Sequence, residues 1–461
     1  MRFRWPAHGL LLLLALSGCL KPIVKSSPSV APLPDTRVVV AIPPADTTPP
    51  PALPIPAPAA PVMAPDTLAI TPAPALPRPL DCRVTRNSVR VLLSQSKSPV
   101  PVTFSNGFVF YHNNTKEGFA SDKAVAEYKG GILSFAGRRM PLTSGMAVTL
   151  VPVDRSAAFS VNGNRYRGSL TLRPAKSGAL SIINEIFVED YLRGVLPYEI
   201  GIRDSNLFEA LKVQAIVART YTYSRLNSHA DEGYDVYSDQ SDQVYNGMKG
   251  EYRLSDQAVE STRDEVVTFN DSLIQSFYYS TSCGSTANIE DVWPDRGYRP
   301  YLRSIPDAPF NAGAKYATWT ERWPGPALSA IGNKGLGESI AGFEKGTLTD
   351  ITVQDTFACG RVRTLAVTVS GKVYTVSGDR TRWILRRNQP DRPILQSACF
   401  RLTAVKNADN TIRELTAEGR GFGHGVGLSQ VGAIGMARAG KNDREIIGAY
   451  YTGVRLARVV Y

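Results

Sequence analysis

Leu207-Phe208-Glu209-Ala210-Leu211-Lys212-Val213-Gln214-Ala215-Ile216-Val217-Ala218-Arg219-Thr220-Tyr221 is the stretch that decides the architecture. Its apolar residues fall on most faces of a helix rather than on one stripe, so the spacing predicts a helix from Leu207 to Leu226 buried at the centre of a domain. Asn206-x-x-Glu209 has the form of a capping box at its start. Upstream, Ser181 to Val188 predicts a strand, and Glu189 to Leu196 a short helix. That helix should stop before Pro197, because a proline drives the residue ahead of it out of helical geometry. Glu199 is thereby expected in the connection between two helices. Arg219 inside the apolar helix needs a partner, since an unpaired buried charge is costly; a structural ion pair and a place in a binding cleft are both open.

Strand signals lie on both sides of this centre. Val89-Arg90-Val91-Leu92-Leu93 and Phe108-Val109-Phe110-Tyr111 are short β-rich runs separated by Gly, Asn and Ser turns. Residues 81–175 therefore read as a β-rich lobe. A mixed region over 176–305 follows, with a helix near Leu254–Arg263 and paired strands at 265–269 and 273–280. Residues 306–405 read as a β-rich insertion, with strands between Thr349 and Phe400. Residues 406–461 hold a glycine-rich loop and two helices, Ser429–Ala439 and Arg444–Tyr451, stopped by Gly440 and Gly453. The fold class expected is α+β.

The amino-terminal end has a different character. Arg2 and Arg4, an apolar run from Leu10 to Leu16, and then Leu16-Ser17-Gly18-Cys19 form an export signal too short to span a bilayer. The ending looks like a lipobox, which would make Cys19 the lipidated first residue of the mature chain. Residues 20–80 hold eighteen prolines and no glycine. They are expected to form an extended tether that reaches on the order of 190 Å at most. Without residues 1–19 the balance is 50 basic against 41 acidic residues. That basic surface suits an anionic envelope polymer or a membrane surface, and export argues against nucleic acid. Cys82, Cys283, Cys359 and Cys399 remain in a disulfide-permissive setting. A Cys359–Cys399 bridge is expected, both lying in strand-like segments of one region.

Five blocks then carry a resemblance: Glu189 to Glu199, Ala210 to Tyr221, Asp242 to Gly247, Tyr279 to Trp293 and Gly419 to Ala433. In this order the chain resembles the stage II sporulation protein D (SpoIID) and amidase-enhancer family over roughly residues 160–455. The resemblance implies a peptidoglycan lytic transglycosylase that acts between N-acetylmuramic acid and N-acetylglucosamine, with Glu199 as its single acid/base. It implies substrate contacts from Arg219, Tyr221, Gln243, Tyr245, Ser280, Gly284, Thr286, His424 and Gln430. Tyr221, Tyr245 and Trp293 are either sugar platforms or core. His424, among Gly421, Gly423, Gly425 and Gly427, is expected to orient substrate or Glu199, with a structural role the other reading. Some relatives resemble zinc proteins, but Tyr237-Ser238-Asp239-Gln240-Ser241-Asp242 lacks soft ligands, so neither a structural metal nor any cofactor is expected.

One carboxyl suffices for such a reaction. A glycosidic bond breaks when a proton reaches the leaving oxygen while the sugar gains oxocarbenium character. A hydrolase usually needs a second carboxylate, for which Asp242 or Glu290 would serve. A transglycosylase uses the sugar's own 6-hydroxyl instead. Its acid must keep a proton near neutral pH, which apolar packing by Leu196, Tyr198 and Ile200 would favour. Two other readings stay open: a thiol nucleophile made of Cys283 and His424, and a non-catalytic glycan binder that stimulates a cell-wall amidase.

Overall fold

Along the strand Ser88–Ser96, Val89 and Val91 are fully buried while Arg90 between them turns outward and pairs with Asp235 at 2.9 Å. This period-two alternation builds the amino-terminal lobe. In the computed structural model, which describes residues 80–461 apart from 120–121, 202–203, 312 and 390–392, the lobe contains a seven-stranded and a six-stranded sheet. Both are antiparallel, except that Val236–Tyr237 joins the edge of the larger one in parallel. Phenylalanines knit the two sheets face to face: Phe104 meets Phe108 at 5.2 Å between ring centroids, and Phe110 stacks on Phe135 at 6.0 Å. Cys19 and residues 20–79 of the tether lie outside the described residues. The described residues form one compact unit.

The strand Leu180–Phe187 belongs to the larger sheet and runs directly into a helix, α1 (Val188–Glu199). Here the sequence expectation is corrected, because α1 passes through Pro197 and ends at Glu199. The proline sits in the last turn, so only one intrahelical hydrogen bond is forfeited. The Ile200 N–H still closes onto the Leu196 carbonyl at 3.1 Å. Glu199 is thus the last residue of a helix rather than part of a loop.

The predicted central helix is present as α2 (Phe208–Ser224), with buried residues on every face. It packs against α1, the helix Arg253–Ser261, the strand Glu265–Phe269 and the helices Gln430–Arg438 and Asp443–Tyr450. The expected capping box does not form. Asp204 instead accepts from the Asn206 N–H and starts a short turn, Ser205–Leu207. Glu209 accepts from the Asp443 N–H at 2.8 Å and pairs with Lys212, which fastens α2 to the last helix.

The first described strand, Leu80–Arg83, lies parallel to the last, Arg455–Val460, and the latter pairs antiparallel with Glu265–Phe269. Both ends of the described chain therefore join the sheet whose strand Glu265–Phe269 packs on α2. The expected strand 273–280 is broken: Ser272–Leu273 pairs with Glu265–Phe269, whereas Tyr278–Tyr279 pairs in parallel with Leu428–Ser429. The insertion has a core of its own around Trp323, Leu328, Leu365 and Leu415. Its central strand, Ile412–Gly419, lies between Trp319–Pro324 and Phe400–Lys406, so this lobe continues past residue 405.

Arg219 is fully buried and is not a cleft residue. Its Nε and Nη2 meet both carboxylate oxygens of Glu189 at 2.8 and 2.7 Å, and Nη1 and Nη2 donate to the Glu265 and Val259 carbonyls at 3.1 Å. Every direction the guanidinium can donate in is closed by protein. Arg219→Ala strands the Glu189 charge and is expected to lower the unfolding free energy by about 3–5 kcal/mol, much of which the double variant Arg219→Met/Glu189→Leu regains. Urea denaturation of the three proteins checks both values.

Candidate active site

Glu199 is held from three sides. Its Oε1 accepts from the Val244 N–H at 3.0 Å, its carboxyl is hydrogen-bonded to the Tyr278 hydroxyl, and its main-chain carbonyl accepts from Gln430 Nε2 at 3.0 Å. The helix end therefore fixes the backbone, and two separate chain segments fix the carboxyl. Burial pushes the carboxyl pKa up to about 7; the Val244 N–H and the Tyr278 hydroxyl, which favour the charged form, pull it part of the way back. The residue is only half-buried, so part of it stays within reach of solvent and of a bound molecule.

Gln243 does not face a substrate. It is fully buried and acts on Tyr278. Its Oε1 accepts from Tyr191 at 3.2 Å and its Nε2 reaches the Ala218 carbonyl, which can only accept, at 3.4 Å; these contacts fix the amide's orientation. Nε2 must then face Tyr278, donating to its hydroxyl at 3.0 Å. With its lone pair occupied, the Tyr278 hydroxyl directs its own proton to Glu199. Tyr278 is thus the site residue that the sequence reading missed. The signal was within view, since Tyr278 directly precedes the Tyr279–Trp293 block.

His424 also differs from expectation. Val426 N–H donates to its Nδ1 at 3.0 Å, so the proton sits on Nε2, which donates to the Tyr278 carbonyl at 3.0 Å. Burial lowers the imidazole pKa to about 4, and the neutral ring packs against Trp293 at 4.9 Å and Tyr279 at 5.4 Å. Both nitrogens are committed to backbone, which leaves none to activate Cys283. His424 acts on Glu199 only through the strand that carries Tyr278.

The glycines around His424 serve packing. Gly425 and Gly427 have positive φ, and a side chain there would strike the Arg361 guanidinium at 2.2 Å and the Phe277 carbonyl at 2.1 Å. The loop thus lies against the protein's own strand.

The remaining residues divide between core and rim. Tyr245 is core, donating to Asn184 at 2.9 Å with its ring 4.9 Å from Tyr191. Thr286 is fully buried and joins the Arg303 carbonyl to the Ile305 N–H. Gln430 is buried, bridging Glu199 and Gln214. Tyr221, Ser280 and Gly284 keep partial exposure. The Tyr221 hydroxyl donates to Asp242 at 2.6 Å, Ser280 contacts Thr281 at 3.1 Å, and the space over Gly284 is open. Trp293 lies under Arg296 at 4.9 Å. Asp242 also accepts from the Tyr237 N–H at 2.8 Å and meets Arg225 at 3.3 Å, while Glu290 is held in a bidentate pair by Arg303, which lowers its pKa. A separate charged depression of about 540 Å³, lined by Arg193, Glu251, Asp256 and Glu260, does not include Glu199.

A carboxyl whose folded pKa is raised stabilises the fold below its unfolded value, and that stability is lost as pH rises through the folded value. Glu199→Gln is therefore expected to match the unaltered protein near pH 4.5 and to exceed it by about 1–3 kcal/mol above pH 7. Urea unfolding at pH 5 and pH 8 measures the gap, which should widen with pH.

Residues 176–269, which hold α1, α2 and the Val244 segment, match the family described as Stage II sporulation protein (SpoIID); residues 310–427 match a domain of unknown function. Stage II sporulation protein D of Bacillus subtilis (strain 168) is 29% identical over 339 residues, covering 67% of this chain and 90% of its own. Its counterpart from Bacillus amyloliquefaciens is 30% identical over 290 residues, covering 60% of this chain and 75% of its own. The amidase enhancer of Bacillus subtilis (strain 168) is 27% identical over 345 residues, 68% of this chain but 47% of that longer protein. Identity of 30% over three quarters of that relative's length, together with the family match over residues 176–269, makes this chain a member of the stage II sporulation protein D family.

Proposed function

We propose that this protein cleaves peptidoglycan glycan strands between N-acetylmuramic acid and N-acetylglucosamine as a lytic transglycosylase, with Glu199 as its acid and then its base. The observation that carries this reading is a single, partly open carboxyl whose pKa is raised to about 7 by burial. Such a group holds a proton for the bridging oxygen at neutral pH and, once ionised, takes one back from the sugar's 6-hydroxyl as that oxygen bonds to C1. The glycosidic bond breaks, the 1,6-anhydro bond forms, and the carboxyl ends as it began. The two candidates for a second carboxylate, Asp242 and Glu290, are both engaged by cations, which favours the one-carboxyl route over hydrolysis.

Val244 and Tyr278 set the poise of Glu199, while Gln243, Gln430 and His424 hold it in place. Tyr221, Ser280 and Gly284 are proposed to touch glycan at the rim. Export and lipid anchoring through Cys19 would put the enzyme at the envelope, on the periplasmic face of an outer membrane in a diderm cell. Among the described residues, no helix is long and apolar enough to cross a membrane. The second reading, a glycan-binding activator of a cell-wall amidase, is favoured by the likeness to the amidase enhancer.

Mass spectrometry of the material released from purified sacculi and from glycan strands stripped of stem peptides separates these readings. Anhydro ends are expected from the unaltered protein, and Glu199→Ala should lower their yield by about 10²–10⁴-fold. Reducing ends would indicate hydrolysis, and no release would indicate the binding role. The rate should fall above pH 7, as Glu199 loses its proton. Tyr278→Phe removes a hydrogen bond to the charged form, so this alkaline limb should move to higher pH.

A further inference from the structure

Cys283, Cys359 and Cys399 converge where the Tyr278–Gly284 segment meets the insertion lobe. All are free thiols, and the expected Cys359–Cys399 bridge is not formed. The turn Phe357–Arg361, closed by the Phe357 N–H on the Arg361 carbonyl at 2.8 Å, organises the cluster. Cys399 Sγ donates to the Gly360 carbonyl at 3.3 Å, and Cys283 Sγ faces the Cys359 carbonyl at 3.8 Å. The two sulfurs therefore lie over adjacent peptide groups, within hydrogen-bonding reach of each other. The Cys359 side chain is turned to Arg361.

Electrostatics distinguish the two facing thiols. The hydrogen bond from Cys399 lowers the Cys283 pKa against its burial, and the charges of Arg361 and Arg420 lower it further. Arg361 is itself buried and fixed by a hydrogen bond to the Ser285 carbonyl at 3.0 Å. Cys399, which gives the hydrogen bond, is raised. A thiolate beside a protonated thiol and a fixed cation is the arrangement in which disulfide exchange begins.

We propose that Cys283 and Cys399 form a disulfide that ties the segment bearing Tyr278 to the insertion lobe, leaving Cys359 free. This inference rests on the export proposed above, since an exported chain meets disulfide donors. The Cys283 thiolate attacks one sulfur of a donor disulfide, whose S–S bond breaks and releases one donor thiolate. Cys399 then loses its proton, and its sulfur attacks Cys283 and expels the second donor thiolate. The protein thiols lose two electrons and the donor gains them. The new bond closes a loop of well over a hundred residues between the Glu199 support and the strand Phe400–Lys406.

The test uses the full chain, purified reduced, equilibrated with glutathione disulfide, alkylated with iodoacetamide and digested without reductant. The expected product is a peptide pair joined through Cys283 and Cys399, with Cys82 and Cys359 alkylated. The oxidised protein should melt about 5 °C above the reduced one, a difference absent from Cys399→Ser. Alkylation of Cys82, Cys283, Cys359 and Cys399 alike, or a pair joined through Cys359, overturns the proposal. Because the exchange is run on purified protein, its failure is separate from a failure of export, which fractionation of cells examines.

Discussion

A carboxyl group withdrawn from water and, among the described residues, not paired with a cation is the constraint around which this molecule is organised. Water would keep Glu199 ionised, and a nearby arginine would do so more firmly. The protein instead gives it one backbone N–H and one tyrosine hydroxyl. These groups orient the carboxyl without binding its charge strongly, and burial decides the outcome. Each larger element of the core serves this arrangement. The helix α1 fixes the carboxyl's origin, α2 carries Thr222 and Gln214, and the parallel pairing of Tyr278–Tyr279 with Leu428–Ser429 brings Tyr278 to its place.

The polar core around the site is a chain of hydrogen bonds. Tyr191 donates to one end of Gln243 and the Ala218 carbonyl accepts from the other, so its amide cannot flip, and the Tyr278 hydroxyl receives a donor. His424 supports the same strand from the far side in its neutral form. Such a network loses its definition if any member changes its donor or acceptor character. The fully paired Arg219–Glu189 ion pair lies deeper, at the join of α1 and α2, and keeps its charges away from Glu199 by satisfying them internally.

Much of this was legible in the residues. The all-round apolar pattern of Val213, Ala215, Val217 and Ala218 required a buried helix, and alternation such as Val89-Arg90-Val91 required strands. The special place of Glu199 came from family likeness together with the chemistry of one carboxyl. Other features depend on tertiary partners that lie far away in the chain. Pro197 reads as a helix stop, but its cost is small in a last turn. Gln243 and Tyr245 look like polar and aromatic ligand contacts, yet they are buried because Tyr191, Thr222 and Asn184 wait for them inside. The glycines near His424 read equally as a ligand loop or as close packing, and only the positions of Arg361 and Phe277 decide between these.

The proposed chemistry turns on one proton at Glu199. Carbonyl-stretch infrared difference spectra of the unaltered protein against Glu199→Gln, recorded across pH 4 to 9, titrate that carboxyl directly. A protonated-carboxyl band that disappears with a midpoint near pH 7 is expected. A midpoint near the ordinary glutamate value of about 4.3 would contradict the account, because the group would then hold no proton to give at neutral pH.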